Sequence, residues 1–177
     1  YDASSHGATI AQLATLPNIQ SIKLVDHHLA GGQQIGKEYD TAVQENLDNI
    51  VDSLRKMTSL KVLDIEVDSV ISGRRLSILE DMKELKSLRL RGFDFSEGIK
   101  HVGGLTQLED LHLCHGNFYS SPEKEVDESD LLELSSLSQV KNVHLEGFDN
   151  MTELGLKPFC QSKSVKELVL KHCQDLS

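Results

Sequence analysis

The chain has 177 residues, 38% hydrophobic and only 5% aromatic, with no Trp and a formal charge of −10. It is long enough for one domain with a sizeable core, in which Leu, Val and Ile must do most of the packing. The acidic balance argues against a duplex nucleic acid ligand, which needs clustered Lys and Arg, and fits a soluble protein or one with a basic partner.

In chain order, the spacing apolar-x-x-apolar-x-apolar occurs six times: Ile19/Ile22/Leu24, Leu60/Leu63/Ile65, Leu85/Leu88/Leu90, Leu108/Leu111/Leu113, Val140/Val143/Leu145 and Val165/Leu168/Leu170. The last two positions of each copy alternate as in a strand, so six short strands are expected. Apolar residues step back from each strand at intervals of three: Leu13 and Leu16, Leu54 and Met57, Leu79 and Met82, Val102 and Leu105, Leu134 and Leu137. We read these as helical faces returning the chain to the next strand. The last copy keeps only Phe159, with Ser162 in the second slot. A single such unit cannot bury its apolar face, but a stack of them can.

The returns differ. After Leu24, residues 25–39 contain Gly31, Gly32 and Gly36 and predict a loop, followed by a helix over 41–56 with Val43, Leu47, Ile50, Val51 and Leu54 inward. A brief helix is expected from Arg74 to Glu84, and Phe95 and Phe118 occupy matching offsets and are expected to pair. Residues 119–130 carry Glu123, Glu125, Asp127, Glu128 and Asp130 against Lys124 alone. The plain reading is a solvated loop entering a helix whose first turn favours carboxylates; the sharper one is a docking loop for a basic partner.

This repeated pattern resembles the leucine-rich repeat family, and the stretch from Phe148 to Cys160 running into Val165-x-x-Leu168-x-Leu170-x-x-Cys173 is similar to the cysteine-containing repeats of F-box proteins. The resemblance implies an α/β fold: a right-handed solenoid of about six repeats over 1–177, with a parallel sheet on the concave face and helices on the convex face. It also implies a substrate- or partner-selecting role in a ubiquitin ligase or other multiprotein assembly. The family expects Asn or Cys three residues after the last strand Leu, where this chain has His27, Asp68, Phe93, Gly116, Phe148 and Cys173; only Cys173 conforms, so the backbone there needs other partners.

Between and after the strand leucines, side chains point away from the core in two columns. One reads Lys23, Asp64, Arg89, His112, His144, Val169, and the other Val25, Glu66, Arg91, Cys114, Glu146, Lys171. Asp64 and Glu66 beside Arg89 and Arg91 form an ordinary cross-strand ion-pair set, or else present two Arg to an acidic ligand. His112, Cys114, His144 and Glu146 are metal-ligand types, and thiolate with imidazole suits zinc. Rows along a flat sheet do not readily give tetrahedral convergence, so neither metal nor other cofactor is expected.

A Cys–His nucleophile would lack an oxyanion hole and a water-excluding cleft, which leaves a non-catalytic protein-binding surface. We take Lys23, Asp64, Glu66, Arg89, Arg91, His112, Cys114, His144, Glu146 and Lys171 as its contact residues, with binding sensitive to pH through His112 and His144. The alternatives are a structural spacer and a regulator of a GTPase or other enzyme. Cys114, Cys160 and Cys173 lack paired spacing and point to a reducing, intracellular setting, cytoplasmic or nuclear; Cys160 and Cys173 read as small core residues. No apolar run reaches the roughly 18 residues of a membrane span. The start at Tyr1 and the end at Ser177 suggest a section of a longer chain within a larger complex.

Overall fold

In the computed structural model the described residues are 15–16, 18–26, 50–115, 126–149 and 151–173, with backbone only at 26 and 68–70. Residues 25 and 26 of the loop expected at 25–39 are strand instead; residues 27–39, most of the 41–56 helix, Phe118, Glu123 and Glu125 lie outside the described residues, and residues 50–55 are helical.

The three-residue steps fold as successive tight turns. Met57 N–H donates to Leu54 O (2.9 Å) and Leu60 N–H to Met57 O (3.1 Å); the same pair of bonds links Leu79, Met82 and Leu85, at 3.0 and 3.1 Å. Val102, Leu105 and Leu108 follow at 3.0 and 2.9 Å, and Leu134, Leu137 and Val140 at 3.1 and 3.5 Å. Each bond closes a tight turn, and Met82 (φ −93°, ψ 59°) and Leu137 (φ −75°, ψ 69°) leave helical geometry between one turn and the next. Leu54 and Val102 lie in α-helix as the helical reading expected, and the turns take over after them. All twelve apolar side chains are buried.

Six strands follow from the alternating stretches: β1 (Ser21–Asp26), β2 (Val62–Ile71), β3 (Ser87–Phe93), β4 (Asp110–His115), β5 (Asn142–Glu146) and β6 (Glu167–Lys171). They form one parallel sheet in chain order. The register is set before the strands begin, because the N–H groups of Lys61, Lys86, Glu109, Lys141 and Lys166 each donate to the preceding unit at 2.7–2.8 Å. Leu63, Leu88, Leu111, Val143 and Leu168 then align in one row, and Ile65, Leu90, Leu113, Leu145 and Leu170 in another. These rows pack with the return segments into a single core on one side of the sheet.

The returns contain helices α1 (Phe95–Gly103), α2 (Glu128–Leu132) and α3 (Glu153–Cys160), and 3-10 helices over Gly73–Asp81 and Glu133–Ser136. Asp94 caps α1 by accepting from Ser96 N–H at 2.9 Å, and Phe95, Ile99 and Val102 form its buried stripe. Asp127 and Asp130 form a reciprocal capping box at α2, so these two carboxylates of the acidic segment act as local helix-start groups. Thr152 caps α3 by accepting from Leu154 N–H at 3.2 Å. The helix expected from Arg74 is a 3-10 helix because it lies almost against α1. A Cβ on Gly73 would meet Asp94 O at 1.9 Å, and one on Gly98 would meet Gly73 O at 2.5 Å.

Where the family pattern expects an Asn ladder, aromatic rings stack instead. Phe95 lies 6.4 Å from Phe93, 5.9 Å from His115 and 5.9 Å from Phe148, and His115 lies 5.4 Å from Phe148. At Cys173 the thiol donates to Leu145 O (3.6 Å) and Lys171 O (3.3 Å), satisfying carbonyls at the strand exit. Cys173 packs on the core as expected, whereas Cys160, at the end of α3, is exposed. The exposure arises because the apolar stripe of α3 runs through Phe159 and leaves its neighbour on the solvent side.

Candidate functional site

The core lies on one side of the sheet, so alternation puts the intervening residues on the other. Lys23, Asp64, Arg89, His112, His144 and Val169 are register partners in succession, and so are Val25, Glu66, Arg91, Cys114, Glu146 and Lys171. All ten residues singled out from the sequence therefore occupy this outer face. The same rule one step earlier gives a third column that the sequence reading missed: Ser21, Val62, Ser87, Asp110, Asn142 and Glu167. Its signal was the period of two carried back past the first strand leucine. Asn142 donates to Asp110 within that column.

Between β1 and β3 the face is occupied by charges that meet one another. Lys23 Nζ lies 3.0 Å from Asp64, Arg89 lies 3.9 Å from both Asp64 and Glu66, and Arg91 Nη1 donates to Glu66 at 3.4 Å. The 3.9 Å contacts are charge interactions without hydrogen bonds. Arg89 keeps 41% of its side chain exposed, whereas Arg91 keeps 17%. Of the two guanidinium groups, Arg89 is thus the one available to an incoming ligand.

Between β4 and β5 the chemistry changes. The rings of His112 and His144 stack with centroids 3.9 Å apart and planes within 8°. Burial, then the neighbouring His144 and Arg89, push the His112 pKa down to about 4, and burial also lowers that of His144. This differs from the expectation that His112 titrates near neutral pH, because burial beside other basic groups favours the neutral ring there. Cys114 is in register but only 6% exposed, and burial pushes its thiol up to about 11. Arg91 and Glu146 flank it in register, and the raised pKa favours the thiol over a reactive thiolate at neutral pH.

One ligand atom each from His112, His144 and Glu146 lie within 4.8 Å of one another. Beside the two rings is an open cavity of about 300 Å³, bordered by Arg89, Asp110, Asn142, Glu167 and Val169. The arrangement offers imidazole nitrogens, carboxylates and one exposed guanidinium on one surface.

No described helix is long and apolar enough to cross a membrane. No protein-family model and no curated protein matches this chain.

Proposed function

We propose that the chain is a right-handed solenoid of leucine-rich repeats whose outer, concave face recognises a protein partner without catalysing a reaction. The observation carrying this reading is the uninterrupted register of Lys23, Asp64, Arg89, His112 and His144 beside Glu66, Arg91, Glu146 and Lys171. Such rows give a broad polar surface of alternating charge, which favours orientation and specificity in protein association. The six in-phase sequence copies and the chain-order parallel sheet support the solenoid part.

The partner-selecting component of a larger intracellular assembly is our specific reading, with an F-box-type ubiquitin ligase receptor as the named case. It rests on the similarity of residues 148–173 to cysteine-containing repeats. The test compares wild type with Arg89→Glu/Arg91→Glu in affinity capture from a cell extract, read by quantitative mass spectrometry. A recognition module loses its partner in the variant while keeping its circular dichroism spectrum. A spacer retains whatever it bound.

A further inference from the structure

The cluster on β4 and β5 has a property that protein recognition does not use. His112 and His144 are register partners on adjacent parallel strands, and Glu146 is two residues beyond His144 on the same face. The three side chains bring a ligand atom each to within 4.8 Å. His144 Nε2 is shielded from solvent and has no hydrogen-bond partner; its closest carboxylate, Glu146 Oε2, is 3.7 Å away. A shielded ring nitrogen without a partner is uncommon, because its desolvation is uncompensated.

We infer that His112, His144 and Glu146 form a binding site for a zinc-like divalent transition metal ion. Two imidazoles and a carboxylate suit zinc, with bonds of about 2.0–2.2 Å, so tetrahedral ligand atoms stand about 3.3 Å apart. The present spacing is wider than that, and χ2 of an imidazole is a soft torsion through which each ring can turn toward an ion. A metal–imidazole bond lies in the plane of its ring, and two rings stacked face to face share no such point, so binding one ion unstacks them. It would satisfy His144 Nε2 and leave a fourth position toward the cavity for water. Two cations flank the site, Arg89 beside His112 and Lys171 beside Glu146. Arg89 contacts Asp64 and Glu66, which moderates its repulsion of an ion. Cys114 stands outside the cluster.

The experiment titrates zinc chloride alone into the full chain by calorimetry. One saturable ion per chain is expected. His112→Ala and His144→Ala should each weaken it by at least about tenfold, the lower bound for loss of even an outer-shell partner. His101→Ala, on the helical side beside Glu80, should leave it unchanged. X-ray absorption of the zinc-loaded wild type, which depends on no variant folding, should count two imidazoles. Absence of saturable binding, affinity unchanged in folded His144→Ala, or fewer than two imidazoles would each overturn the assignment. None of these results bears on partner recognition, so the two readings fail separately.

Discussion

Two parts of the outer face share one register but meet the cost of crowding polar groups in opposite ways. At β2 and β3 the Asp64/Glu66 row faces the Arg89/Arg91 row, and each charge has an opposite neighbour. At β4 and β5 the crowded groups are two imidazoles: burial, then His144 and Arg89, disfavours charge on His112, and burial, then Lys171, lowers the pKa of His144. The first part keeps its charge by pairing, and the second gives its charge up. The backbone beneath is the same, so the difference lies wholly in side chains that the fold leaves free to vary.

The core should dominate any comparison of the two faces. Leu90→Ala removes a fully buried side chain one residue from Arg89. We expect a loss of about 2–5 kcal/mol in urea unfolding, against well under that for an outer-face truncation. Gly73→Ala comes next. Its added carbon has no room beside Asp94 O, and overpacking of about 1–3 kcal/mol is expected, visible as a lower melting temperature.

The histidine row predicts an acid effect through His112. His112 has a folded pKa of about 4 against an ordinary value of 6.5, so between these values the unfolded chain binds more protons. Stability is therefore present above pH 6.5 and lost as pH falls toward 4. After discounting for solvent screening, its contribution is on the order of 1–2 kcal/mol. Urea midpoints of the chelator-treated protein at pH 7 and 4.5 measure it; in His112→Gln the drop should shrink. An equal drop in both proteins would remove His112 as its source. The smallest effect belongs to the pair of Arg91 and Glu66, for which a double-mutant cycle should give a coupling of about 0.2–1 kcal/mol.

The strand positions and both outer columns were legible in the sequence because a period of two and a recurring leucine spacing admit one register. Residues at the same offset, such as Asp64 and Arg89, had to become neighbours. The returns were less legible. A three-residue apolar step fits both a continuous α-helical face and a helix that ends in successive tight turns, and backbone bonds between Leu54, Met57 and Leu60 decide for the second. The near contact of Gly73 with Gly98 depends on two segments 25 residues apart, beyond any local pattern. Burial was the main omission at the candidate site. Cys114 and His112 were placed on the correct face, but their pKa shifts come first from burial and then from charged or basic neighbours on adjacent strands.

The central claim is that the charge pattern of the outer face is read by a partner. The direct test is the charge-inverted variant Lys23→Glu/Asp64→Lys/Glu66→Lys/Arg89→Glu/Arg91→Glu, which keeps opposite charges facing across β1, β2 and β3. Its unfolding midpoint should stay near that of wild type, while affinity for the partner captured by wild type should fall by at least about tenfold, roughly 1.4 kcal/mol. Unchanged affinity in this folded variant would contradict the account.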